Sequence, residues 1–343
     1  MNKSTMFRKF VGASSLTLAT AIAATSVANA ATWRYAHEEY DGDVQDVYAE
    51  HFKDYIEENS DHTIQIFEFG QLGESDDIME QTQNGILQFV NQSPGFTGSL
   101  IPEAQIFFIP YLMPTDMDTV VEFFRESEAI NEMFPKLYAD AGLELLKMYP
   151  EGEMVVTLDE KATSPEELQN KKIRVMTNPL LSATYEAFGA TPTPLPWGEV
   201  YGALQTNMID GQENPIFWIE SGGLYEVSPN LIFTGHGWFT TAIMANQDFY
   251  EGLSEEDQEL VQSAADYAFD KIITHIDGLA DKSLEKIQEA SDEVTVTRLN
   301  DEQIEAFRKR APQVEETFIE MTGESGKELL NQFKEDLENV QSN

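Results

Sequence analysis

The chain has 343 residues, no cysteine and a formal charge of −40, from 61 acidic and 21 basic side chains. Without cysteine there are no disulfides, thiol nucleophiles or thiolate metal sites, and so acidic a chain lacks the basic footprint that nucleic acid requires. With 41% hydrophobic and 11% aromatic residues it can bury a substantial core, and its length suits two lobes better than one.

Lys3, Arg8 and Lys9 precede a small apolar run from Val11 to Ala24, and Ala28-Asn29-Ala30 follows. This pattern predicts an export signal over residues 1–30, cleaved to leave Ala31 at the mature end. The apolar run is too short to span a bilayer, and no later segment approaches that length. With no cysteine to carry a lipid, a freely diffusing periplasmic protein is expected, with no membrane insertion after cleavage. Residues 1–30 hold three positive and no negative charges, so the mature chain stands at −43. Self-repulsion at that charge loosens a compact state in dilute salt. At about 1 M salt the screening length falls to roughly 3 Å. A salty exterior, as in a halophile, is therefore expected; a generic acidic solubility surface is the competing reading.

Trp33–Ala36 reads as a first strand. Val44, Val47, Tyr48, Phe52, Tyr55 and Ile56 then recur at helical spacing within 43–58. Thr63–Phe69 is a second strand, Ser75–Asn84 a short helix stopped by Gly85, and Ile86–Asn91 a third strand. This β-α-β-α-β order predicts a parallel sheet flanked by helices, with ligands received at the carboxyl ends of the strands. Glu39 and Phe96 fall at that edge. A second β/α unit begins near Met154. Ser164-Pro165-Glu166-Glu167 has the form of a helix start. Lys172–Met176 is a strand, and Asn178-Pro179 opens a helix carrying Leu181, Tyr185 and Phe188. The stiff run Thr191–Pro196 delivers Trp197 to a helix with Val200, Tyr201, Leu204 and Met208 in register. Leu231–Met244 is expected to run as a strand between the lobes. Ser254 caps a long helix toward Ala290, with Gly278 as its weak point.

The run Trp197-Gly198-Glu199-Val200-Tyr201-Gly202-Ala203-Leu204-Gln205-Thr206, followed by Ile209-Asp210-Gly211-Gln212-Glu213-Asn214-Pro215, resembles the extracytoplasmic solute receptors of TRAP transporters, the DctP family. Asn207 stands where that family commonly has glycine, and asparagine tolerates the left-handed turn this implies. Trp33–Tyr40, Asn91–Ser99, Asn214–Trp218 and His236–Thr240 are similar to segments of the family's ectoine-binding members. The resemblance implies a two-lobed α/β periplasmic-binding-protein fold, each lobe a mostly parallel sheet flanked by helices, joined by crossing strands and the long helix. Lobe I would take 31–153 and about 243–282, lobe II 154–242 and about 283–343. It further implies a sodium-coupled transporter whose membrane subunits receive the ligand, and a role in osmoadaptation through compatible-solute uptake.

Ectoine joins a carboxylate to a ring bearing a delocalised amidinium. Its pocket needs an anion grip, a carboxylate for the ring N–H groups and aromatic walls. Arg174, the only arginine between Arg125 and Arg298, is the candidate grip, against a structural salt bridge. Asn214 would assist it, against turn chemistry before Pro215. Glu39 would take the amidinium; composition alone makes it one acid among 61. Phe96, Trp197, Trp218 and Phe239 are the candidate walls, against ordinary core packing. Phe217 and Trp238 could exchange places with their neighbours.

No cofactor or metal is implied: His37, His51, His62, His236 and His275 form no ligand motif, and neither a nucleophile elbow nor a phosphate loop occurs. A binding protein rather than an enzyme is expected. Hydroxyectoine is a near alternative ligand, a dicarboxylate or keto acid a further one. A secreted acidic hydrolase with a carboxylate pair is the rival from another class.

Overall fold

The computed structural model describes residues 30–342; nearly all of the export signal lies outside that range. Nine strands form one continuous sheet: β1 (Thr32–His37), β2 (Thr63–Phe67), β3 (Phe89–Gln92), β4 (Leu143–Leu158), β5 (Lys172–Val175), β6 (Thr191–Pro194), β7 (Gly211–Pro215), β8 (Asn230–Asn246) and β9 (Thr295–Arg298). The helices are α1 (Val44–Asn59), α2 (Ser75–Gln83), α3 (Pro94–Thr97), α4 (Met117–Glu126), α5 (Phe134–Asp140), α6 (Pro179–Ala187), α7 (Val200–Gln205), α8 (Ile216–Ser221), α9 (Gln247–Glu251), α10 (Glu255–Ile276), α11 (Leu279–Ala290), α12 (Asp301–Arg308) and α13 (Ala311–Ser342).

The sheet divides into two lobes because β4 and β8 are long enough to serve both. In lobe I the order is β2-β1-β3-β8-β4, with β1 parallel to β2 and β3. In lobe II it is β9-β8-β4-β7-β5-β6, with β5 parallel to β6 and β7. The two crossing strands pair antiparallel through both lobes. Their register slips between Pro150 and Gly152 and between Glu153 and Val155, at the crossing itself. Such irregularities bend a strand pair. Helix α10 packs along α1 in lobe I, and α11 packs on α8 in lobe II. Between α10 and α11, Gly278 adopts φ 70° and breaks the helix where the sequence placed its weak point. The C-terminal helix α13 packs on α4 and on α6, and bends at Gly323.

The predicted β-α-β-α-β order of lobe I forms, although β3 starts later than expected. Gly85 turns left-handed and Ile86 folds back to Gln81, which consumes the first residues of that segment. Two other expectations fail. Ser164–Asn170 forms turns rather than a helix. Its capping bonds do exist: Ser164 Oγ accepts the Glu167 N–H at 3.3 Å, and Glu167 Oε2 accepts the Thr163 N–H at 2.6 Å. The chain then leaves through Asn170 at φ 66° to enter β5, so no turn of helix follows. Met208 is not in register with Trp197, because α7 ends at Gln205 and Asn207 turns left-handed at φ 54°, leaving Met208 57% exposed.

Candidate ligand-binding site

Glu39 leaves the carboxyl end of β1 just before α1. Its Oε2 accepts the backbone N–H of Gln45 at 2.7 Å, in the first turn of that helix, where free N–H groups and the helix dipole favour an anion. The next residue, Tyr40, reaches across to lobe II, where Trp197 Nε1 donates to its hydroxyl at 3.1 Å. Glu39 is fully buried, and its Oε1 has no partner among the described residues. Burial, reinforced by the nearby Glu151, pushes its carboxyl well above the usual range.

Arg174 approaches from lobe II. It stands on β5 in register with Gln212 of β7, and Gln212 accepts a hydrogen bond from the Asn214 side-chain amide. The register and the two-residue spacing place Arg174, Gln212 and Asn214 on one face of the lobe II sheet. Asn214 lies within β7 and caps no helix, so turn chemistry is not what its side chain does. Arg174 Nε donates to the Leu195 carbonyl at 3.0 Å, which fixes the guanidinium plane. Its Nη2 is buried and unpartnered among the described residues, where Arg174 also makes no ion pair. Burial lowers its pKa to about 10, while Glu213, Glu38 and Glu74 pull the other way, so it stays charged at neutral pH.

Aromatic rings lie against the guanidinium. Trp197 lies 5.9 Å from the Arg174 guanidinium and stacks on Trp218 with centroids 4.7 Å apart. Trp218 meets the Phe239 ring edge-on at 5.2 Å. Trp218 Nε1 is likewise buried and unpartnered. Their neighbours Phe217 and Trp238 line a cavity of 210 Å³ beside the α10–α11 break, which Glu151 lines as well. Phe96, on α3 beyond β3, makes no ring contact with the other three. It lines another cavity with Met79, Gln92 and Leu100. Arg174, Trp197, Trp218 and Phe239 thus form one connected cluster with Asn214 on the Arg174 face of the sheet, Glu39 adjoins the Tyr40 that bonds Trp197, and Phe96 stands on α3 without ring contact to the others.

Several residues of the site escaped the sequence reading. Glu38, Gln45 and Glu151 are all buried beside Glu39. Glu38 Oε2 accepts the Ser93 N–H at 2.9 Å, and burial raises its carboxyl to about 8. In a chain this acidic no composition signal marks these glutamates. The lobes also touch: Ser221 Oγ donates to Asp43 at 2.9 Å, and the Leu180 N–H donates to Gln105 Oε1 at 3.0 Å. The cleft is closed.

Residues 35–321 match the family described as DctP, bacterial extracellular solute-binding protein, family 7. The chain belongs to this family. It is 82% identical over 310 residues to the ectoine-binding periplasmic protein TeaA of Halomonas elongata, covering 90% of this chain and 91% of that protein. It is 61% identical over 317 residues to the ectoine/5-hydroxyectoine-binding periplasmic protein UehA of Ruegeria pomeroyi, covering 92% and 94%. A high-resolution structure of the Halomonas elongata protein superposes with a TM-score of 0.89 at 81% identity, covering 90% of this chain and 99% of that one. The apo-state structure of TeaA superposes at 0.81, with the same 81% identity and 100% of that chain covered. Identity being equal, the lower score reflects shape, and this DctP-family receptor is shaped less like the apo state. Among the described residues no helix is long and apolar enough to cross a membrane.

Proposed function

We propose that this DctP-family protein is the periplasmic receptor of a sodium-coupled TRAP transporter, closing on ectoine, and also on hydroxyectoine, and delivering it to the membrane subunits. One observation carries the ligand class. Two buried groups that take opposite charges, the Arg174 guanidinium beside the Trp197, Trp218 and Phe239 rings and the Glu39 carboxyl next to Tyr40, which bonds Trp197, keep Nη2 and Oε1 free of any N–H or carbonyl partner among the described residues. A buried charge without a partner costs several kcal/mol, on the order of 3–5; a zwitterion of matching length satisfies both at once. The ectoine carboxylate would lie on the Arg174 guanidinium, assisted by Asn214. The amidinium would face Glu39, with its delocalised cation against Trp197, Trp218 and Phe239. A dicarboxylate would set a second negative charge against buried glutamates and is repelled.

The names of TeaA and UehA support the same reading, and UehA supports hydroxyectoine in particular. On this reading the protein binds its ligand and releases it unchanged. Mass spectrometry of ligand released from the purified protein, followed by calorimetric titration, tests the proposal. Ectoine and hydroxyectoine should bind with succinate at least a hundredfold weaker. Succinate binding as well as ectoine, or turnover of any ligand, would refute it.

A further inference from the structure

Behind Glu39 lies a second buried acid. Glu151 stands on β4 at the lobe crossing, next to the register slip and 2% exposed. Its Oε1 accepts from Gln45 Nε2 at 3.0 Å, while the backbone N–H of the same Gln45 donates to Glu39. One glutamine therefore holds both carboxyl groups, which lie within hydrogen-bonding reach of each other. Each keeps one oxygen, Glu39 Oε1 and Glu151 Oε2, that no N–H or hydroxyl group of another described residue reaches.

The groups facing the pair are neutral or acidic. From β8, Thr241 Oγ1 accepts from Gln45 Nε2 at 3.3 Å and donates to Asn91 of β3. Asp43 bears on both acids from the start of α1, Glu38 bears on Glu151 from the end of β1, and Tyr149 lies beside Glu151 on β4. The nearby imidazole, His37, accepts the Glu39 N–H through Nδ1 and turns its Nε2 to Asp46 at 3.3 Å. Two carboxyl groups so placed cannot both ionise. Burial raises Glu151 to about 7 and Glu39 further in the same direction.

We propose that Glu39 and Glu151 form one proton-sharing unit that receives the cationic end of the ligand as a single negative charge, so that binding expels a proton and Glu151 sets the pH range in which the receptor works. The inference rests on the reading that a cation lies against Glu39. In acid the free pair holds two protons and is neutral. The arriving cation releases one to solvent, and the other stays between the carboxyl groups, so the site ends neutral. Glu151 is a positioning residue: it acts on the ligand through the charge state of Glu39.

Calorimetry with ectoine on the whole mature protein from pH 5 to 8, repeated in two buffers of different ionisation enthalpy, counts the protons. Wild type should release close to one proton per ligand near pH 6. Its affinity should weaken about tenfold per pH unit below about 7 and level off above. In Glu151→Leu, Glu39 stays buried but loses the neighbouring O–H that steadies its ionised form, so it ionises less readily. The acid limb should move at least one unit higher, and proton release should persist at pH 8, where that of the wild type has faded. Wild-type binding with no proton exchange overturns the inference, as does a Glu151→Leu limb that coincides with wild type; the wild-type proton count decides the matter even if the variant misfolds. Ectoine that fails to bind at any pH refutes the ligand assignment itself, a result distinct from binding without proton release.

Discussion

At Arg174 a permanent charge sits inside the protein with its plane fixed by the Leu195 carbonyl and one amino group unspent. Arg174→Ala should cost ectoine about 2–5 kcal/mol, roughly tens- to thousands-fold in affinity. Circular dichroism should remain native, because the guanidinium holds no ion pair in the fold. Glu39→Gln should weaken ectoine more than any weak binding of a simple carboxylate, measured by the same titration. Glu38 bears on stability. Its ordinary value is 4.5 and burial raises it to about 8, so between those limits the native state keeps a proton that the unfolded chain has released. Stability of the ligand-free protein must therefore fall as pH rises from about 5 to 8. Glu38→Gln should flatten that slope in melting curves. The sequence exposed Arg174 by its rarity, and Trp197 and Asn214 by the motif that contains them. Glu38 and Glu151 were unreadable because a buried glutamate and a solvated one look alike in a chain with 61 acids.

Elements whose period or turn chemistry was local were legible: α1, β1, β2 and the break at Gly278 all stand close to where spacing placed them. The Ser164 segment misled because a capping box specifies the start of a helix, not its continuation, and Asn170 diverts the chain toward β5. β4 escaped because its 16 residues include a proline and a glycine, which read as breaks. Close approach of β7 to β4 explains the glycine of the Asp210-Gly211-Gln212 turn. A Cβ on Gly211 would lie 2.2 Å from the Thr157 carbonyl oxygen. Gly211→Ala should destabilise the protein by about 1–3 kcal/mol, read as a lower urea midpoint. Gly202, inside α7 with open space around it, is the control: Gly202→Ala should be stabilising by about 0.5–1 kcal/mol. Between the lobes, a Cβ on Gly95 would meet the Met176 sulfur at 2.2 Å. Gly95→Val should hold the cleft ajar and weaken ectoine while leaving each lobe folded, as judged by scattering and calorimetry.

The whole molecule carries −43 after the signal, spread over few ion pairs, most of them at partly exposed side chains. Its melting temperature should climb steeply between 0.05 and about 1 M sodium chloride, as repulsion is screened; a flat response would separate the acidity from salt tolerance. The two-lobed architecture was legible from length and from the family motif, whereas the sharing of one sheet between the lobes was not, since it depends on pairings 72 (Leu158 with Asn230) to 103 (Leu143 with Asn246) residues apart in sequence. That sharing bears on how the protein is made. A nascent chain released only as far as α5 has β1, β2 and β3 but neither of the two strands that complete their sheet. Partner β8 arrives about a hundred residues later, so the first half must wait, sticky and unfinished, for the second. Neither half completes its sheet alone, and pairing across such sequence distances slows folding.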